Sequence, residues 1–191
     1  MIFRKAFLTA CILTACLVIT SCAGLFRPAH IEKNRTDGPL VIMISGKSGK
    51  LLYGEFVKRL KGAGYRVILL DGNDFSLVKQ KACEADLLTI IKDHSNASPK
   101  AVIIGYSMGG AVALSCAGAL SENVAGIITY YPATSFIADL DTCIEQLRVP
   151  VVVFQGEEDR YFNCCKVETI RHVHENAIKK GRTMELIVYP Q

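Results

Sequence analysis

The 191-residue chain has no tryptophan, only 6 prolines, 8% aromatic residues and 21% charged residues. No Gly-X-Y period or proline-rich tract is present, which excludes a fibrous protein. Half of the residues are hydrophobic, which excludes a disordered chain. Charge of either sign is scarce: 22 basic residues against 18 acidic ones give a net +4, with no Lys/Arg stripe and no basic run interleaved with aromatics. Nucleic-acid binding and charge-driven adsorption to membranes therefore have no footing in the sequence. Internal repeats are absent as well, and the length suits one globular domain.

An apolar run of the length a spanning helix needs is also missing. The longest apolar run, Ala6 to Ile19, is 14 residues long, short of the roughly 20 that a helix needs to cross a bilayer. Arg4 and Lys5 precede this run and no acid interrupts it, so residues 1–21 read as a secretory signal. Ile19-Thr20-Ser21-Cys22 at its end resembles the lipobox of bacterial lipoproteins, in which the cysteine is acylated and becomes the mature N-terminus. Several acyl chains at Cys22 would give stable anchoring where one would not. The expected location is the bacterial cell envelope, and Ala23 after the cysteine favours the outer membrane facing the periplasm. Removing Arg4 and Lys5 from 22 basic residues against 18 acidic ones leaves a net +2, so the mature chain is close to neutral.

Metal-binding cysteine spacings are lacking too. Once the signal and Cys22 are set aside, Cys83, Cys116, Cys143, Cys164 and Cys165 remain. That odd number allows one or two disulfides in an oxidising compartment and leaves at least one thiol free. There is no CxxC, and His172 and His174 follow the adjacent Cys164-Cys165 at no recognisable zinc spacing, so no metal site is expected.

What the sequence does contain is an alternation. Short Val/Ile-rich runs without a polar face occur at Leu40–Ile44, Arg66–Leu70, Ala101–Ile104, Val124–Thr129, Val151–Phe154 and Glu185–Val188. Strands buried on both faces of a parallel sheet look like this. Between them lie amphipathic stretches: one with Leu52, Phe56 and Leu60, stopped by Gly62 and Gly64, then Ala82–Asp93, Met108–Leu120, Asp139–Leu147 and Asn163–Lys180. Strand then helix, repeated, predicts an α/β domain with a mostly parallel sheet of about six strands, right-handed crossovers and flanking helices. The domain would span 39–191, after a polar tether at 22–38.

The chemistry concentrates after the third run. Gly105-Tyr106-Ser107-Met108-Gly109 follows a strand and opens a helix of small residues, the context in which a G-x-S-x-G pattern makes a nucleophile elbow. On so tight a turn, side chains two before and two after the serine would collide, hence Gly105 and Gly109. Ser107 is the candidate nucleophile, and the Met108 N–H a candidate oxyanion donor. A serine needs a base, oriented by a carboxylate that lies later in the chain. Asp159, in the turn Gln155-Gly156-Glu157-Glu158-Asp159, is the candidate acid, with Glu157 and Glu158 as alternatives.

Ser45-Gly46-Lys47-Ser48-Gly49-Lys50 looks like a phosphate loop but breaks that pattern twice, at Val41 and at Leu51, so neither a nucleotide nor any other cofactor is expected. It reads better as the loop supplying the second oxyanion N–H, from Lys47.

These segments together resemble the α/β-hydrolase superfamily, and within it the dienelactone hydrolase family. Leu40 to Gly46, Gly64 to Val67, Gly105 to Gly110, Gly156 to Asp159 and Val188-Tyr189-Pro190 carry the resemblance, which covers about residues 39–190. It implies an α/β-hydrolase fold, hydrolysis of a small ester or lactone, and a serine or cysteine nucleophile, here Ser107. It also implies a catalytic histidine in the loop after the last strand and a closing helix beyond it. The sequence stops at Gln191, so its C-terminal end reads as truncated before that histidine. His30, His94, His172 and His174 have no topological claim to the role. Two functions follow: a lipid-anchored serine esterase or lactonase, or a hydrolase-fold lipoprotein that binds without catalysis.

Overall fold

The structure, a computed structural model, describes residues 38–95, 100–159 and 161–190. The signal segment, Cys22, His30 and nearly all of the tether lie outside them. Six strands form one parallel sheet in the order β2-β1-β3-β4-β5-β6: β1 (Leu40–Ile44), β2 (Arg66–Leu70), β3 (Ala101–Tyr106), β4 (Val124–Tyr130), β5 (Val151–Gly156) and β6 (Met184–Tyr189). Every pairing is parallel, so each connection crosses a face of the sheet, mostly with a helix. These helices are α1 (Gly54–Gly62), α2 (Gln80–His94), α3 (Met108–Val112), α4 (Leu140–Gln146) and α5 (Val167–Lys179).

Alternation along the strands divides the core. Leu40, Ile42, Ile44, Ile103, Ile127 and Val153 point to one side, where they meet Leu87 and Ile91 of α2, Val112 of α3, Ile144 of α4 and Ile170 of α5. Val41, Met43 and Ile104 point to the other and meet Leu60 of α1. On that second side Tyr106, Tyr130 and Phe154 stack across β3, β4 and β5, with centroids 4.9 Å apart at each step and rings within 12° of parallel. Among the described residues no helix is long and apolar enough to cross a membrane.

Several boundaries differ from the sequence reading. β3, β4 and β5 run one or two residues past their apolar runs, because their pairing continues through Tyr106, Tyr130 and Gly156 to the carboxyl rim. The helix expected over Met108–Leu120 is α-helical only to Val112 and widens into a π turn at Ala113–Ala117. The last helix starts at Val167 rather than Asn163, since Phe162 (φ 45°) and Asn163 (φ 56°) are left-handed and cannot begin it. A disulfide joins Cys83 of α2 to Cys116 of the π turn across 33 residues, and Cys143, Cys164 and Cys165 are free and buried. Closing a loop of that length stabilises the fold by about 3–4 kcal/mol on the chain-entropy estimate.

Candidate active site

The sheet's order reverses between β1 and β3: β1 leads outward to β2, β3 outward to β4. The carboxyl ends of these two strands therefore flank the crevice where open α/β sheets bind ligands. Ser107 stands there, one residue past β3, with φ 50° and ψ −110°. A non-glycine residue held this way costs about 1–3 kcal/mol and persists only where the surroundings enforce it. Here they do. Ser107 N–H donates to the Tyr130 carbonyl (3.0 Å), and its own carbonyl accepts from Ala111 N (3.0 Å) and Ala133 N (2.9 Å).

The glycines close the vise. A Cβ on Gly105 would lie 2.3 Å from the Gly109 carbonyl oxygen, and one on Gly109 would lie 2.1 Å from that of Ile44. One on Gly110 would sit 2.3 Å from Thr129 Oγ1. The strand and the helix start are thus in backbone contact, and Ser107 is thrust up between them. Met108 opens α3, so its amide has no acceptor within the helix.

The loop after β1 lies against the serine: a Cβ on Gly46 would be 3.4 Å from Ser107 Cβ and 3.2 Å from the Tyr53 hydroxyl oxygen. Gly46 N–H donates to that hydroxyl (2.9 Å), and Gly49 N–H closes a tight turn on the Gly46 carbonyl (3.0 Å) with φ 77° at Gly49. Asn73, in the loop after β2, donates through Nδ2 to the Lys47 carbonyl (3.1 Å) and to Asp71 Oδ1 (2.7 Å). Asp71 also accepts from Asn73 N–H (3.0 Å) and from Ser45 Oγ (3.4 Å). The Asn73 backbone N–H, then its side chain, hold the Asp71 carboxyl below its ordinary value. The Lys47 ammonium rests 5.9 Å above the Phe136 ring. Asp71 and Asn73 escape sequence reading, and their only signal is the Asp-Gly-Asn turn after a strand.

Of the three carboxylates after β5, Glu157 is engaged elsewhere: Arg171 of α5 binds both of its oxygens (2.9 and 2.7 Å). Glu158 is exposed. Asp159 turns inward, accepting from Tyr161 N–H (3.2 Å) and Gln155 Nε2 (3.4 Å). It shares its surroundings with Cys165 and Tyr131. Burial pushes the Cys165 thiol well up; the neighbouring Cys164 and the Asp159 carboxylate push it further, and the Ser107 hydroxyl opposes them. Burial also pushes the Tyr131 phenol up to about 12, with Tyr53, Tyr189 and Asp159 adding to it. Tyr131 is a further strained residue, at φ 39°. Ser107, Tyr131, Asp159 and Cys165, widely separated in the chain, thus meet at one rim. Cys165 also has its carbonyl bound by the buried Gln155 Nε2 (2.8 Å). Nothing in its spacing announced this position.

The described histidines lie elsewhere. The His94 ring bonds the Ile90 carbonyl within α2 (2.9 Å), His172 pairs with Asn176 on the exposed side of α5 (3.1 Å), and His174 lines a groove with Arg171, Glu175 and Leu186.

A parallel sheet in this order, with a strained serine at a strand-to-helix turn beside its switch point, defines the α/β-hydrolase fold. The dienelactone hydrolase family's sequence profile matches residues 72–191, more than half of the chain, and the protein belongs to that hydrolase family. Solved structures agree on the fold. Est1E from Butyrivibrio proteoclasticus superposes with a TM-score of 0.63 at 15% identity, covering 83% of this chain and 81% of that one. Thermogutta terrifontis esterase 2 phosphonylated by sarin gives 0.59 at 16% identity, covering 86% and 77%. An uncharacterized Bacillus cereus protein gives 0.61 at 16% identity over 93% of this chain, which spans only 60% of that protein's length. No curated protein matches the sequence.

Proposed function

We propose that the protein is a serine hydrolase of small carboxylic esters or lactones, working through an acyl-enzyme and held on the bacterial cell envelope by lipid at Cys22. The single observation that carries the catalytic part is the enforced φ of 50° at Ser107, set between Gly105 and Gly109. Ser107 Oγ attacks the carbonyl carbon and gives up its proton to a base that Asp159 orients. The Met108 and Lys47 amides hold the oxygen as it gains charge, and the C–O bond to the leaving alcohol breaks as that alcohol takes the proton. Water then repeats the sequence and releases the acid. In a lactone, the alcohol and the acid belong to one product molecule. Family membership and the esterase folds of the neighbours support this reading.

Thermogutta terrifontis esterase 2 was captured phosphonylated, and an organophosphorus probe is the direct test here. The complete native protein should be labelled by a fluorophosphonate, Ser107→Ala should abolish labelling, and Cys22→Ala should abolish palmitate incorporation. Folded protein that binds esters yet neither labels nor hydrolyses them above the Ser107→Ala control would instead establish a binding module.

A further inference from the structure

We infer that the Tyr53 hydroxyl is a third donor to the oxyanion, an inference that rests on the serine-hydrolase reading of the same site. Tyr53 ends the short 3₁₀ turn Lys50–Tyr53 that links the loop after β1 to α1. Its ring packs on Tyr106, the residue before the nucleophile, with centroids 4.8 Å apart. The half-buried side chain is therefore fixed against the elbow itself rather than waving at the rim.

The hydrogen bonding then decides the direction of its proton. Gly46 N–H donates to the phenol oxygen at 2.9 Å, so that amide is already committed and cannot serve the substrate. Among the described residues the phenol O–H has no acceptor. The phenol oxygen and Ser107 Cβ approach one point, the place a Gly46 side chain would occupy, to 3.2 and 3.4 Å. Only a glycine keeps that point open. A carbonyl under attack by Ser107 Oγ brings its oxygen to this side of the serine, between the loop after β1 and the start of α3. The Tyr53 O–H can rotate onto it there. The bond accepted from Gly46 polarises the phenol and strengthens its donation, as chained hydrogen bonds do. The loop thus serves the oxyanion twice, through the Lys47 amide directly and through Gly46 by way of Tyr53.

Tyr53→Phe keeps the ring against Tyr106 and removes only the hydroxyl. In the complete protein, kcat for ester hydrolysis should fall by about 10²-fold, the usual loss for one such donor, with KM changed by less than about threefold. A thionoester reports the role directly, because its sulfur accepts hydrogen bonds poorly. The substitution should slow the thionoester much less than the matching oxoester. Fluorophosphonate labelling should slow with the oxoester rate, and the melting temperature should stay within about 2 °C.

Equal losses on both esters would make Tyr53 a clamp for Gly46 and overturn the inference. So would kcat within about twofold of the parent while Ser107→Ala is inactive. Full activity in Ser107→Ala would instead remove the serine-hydrolase reading, and the inference with it.

Discussion

Ser107 and Asp159 leave the carboxyl ends of β3 and β5 in the same sheet, and their turns are held by different physics. The Ser107 turn is gripped by backbone. Three successive contacts, at Gly105, Gly109 and Gly110, leave no room for a single added carbon, and three hydrogen bonds fix the peptides on either side of the serine. The Asp159 turn has two backbone bonds of its own, Glu157 N–H to the Tyr189 carbonyl (3.0 Å) and Asp159 N–H to the Gly156 carbonyl (3.3 Å), but its carboxylate is placed by polar contacts: a 3.4 Å bond from Gln155 and a 3.2 Å bond from the Tyr161 amide, with the ion pair of Glu157 beside it. The position of Ser107, the proposed nucleophile, is thus a property of the fold, whereas the carboxylate of Asp159, the proposed acid, is placed by a few polar groups. The first should fail by unfolding and the second by losing function.

The largest expected effect breaks the comparison on the acid's side. Asp159→Asn should lower kcat of the complete protein by about 10³–10⁴, as removal of an orienting carboxylate does, while the melting temperature moves by less than about 2 °C. A large thermal shift with this variant would mean that the acid turn is as structural as the elbow. On the other side, Gly109→Ala drives a methyl group against the Ile44 and Ser45 carbonyls. It should cost about 3 kcal/mol, at the upper end for overpacking because the obstacle is backbone, and lower the melting temperature by about 6–12 °C in calorimetry.

The smallest effect concerns the loop after β1, which is held like the acid by polar groups. The Asp71 carboxyl titrates below its ordinary 3.8 when folded. What its charge contributes is complete above that value and is lost as pH falls through the lower folded one. Protection from amide exchange, relative to the intrinsic rate at each pH, should fall at Asn73 and across Gly46–Gly49 in that acid window, and Asp71→Asn should remove that fall.

The same division explains what could be read in advance. Ser107, Gly105 and Gly109 stood out because backbone sterics restrict which residue types a strand-to-helix turn accepts. The sheet stood out because strands buried on both faces must be apolar throughout. The turn alone let Asp159 be preferred to Glu157, but not what occupies Glu157: Arg171, 14 residues further on, at the far end of an ion pair. The start of α5 was misplaced because nothing in the letters of Phe162 and Asn163 dictates a left-handed backbone. Tyr53, Asn73 and Cys165 stayed silent for a related reason: each reaches the site through tertiary packing, and none lies in a local pattern.

The stacked Tyr106, Tyr130 and Phe154 rings have an optical consequence. Without tryptophan to dominate it, the near-ultraviolet spectrum comes from phenols and phenyl rings, with a broad contribution from the Cys83–Cys116 disulfide. Three of these are locked in one chiral column that begins at the residue preceding Ser107. Near-ultraviolet circular dichroism therefore reads the packing of the strands beneath Ser107. It should collapse while the far-ultraviolet signal persists if the sheet loosens without losing its strands.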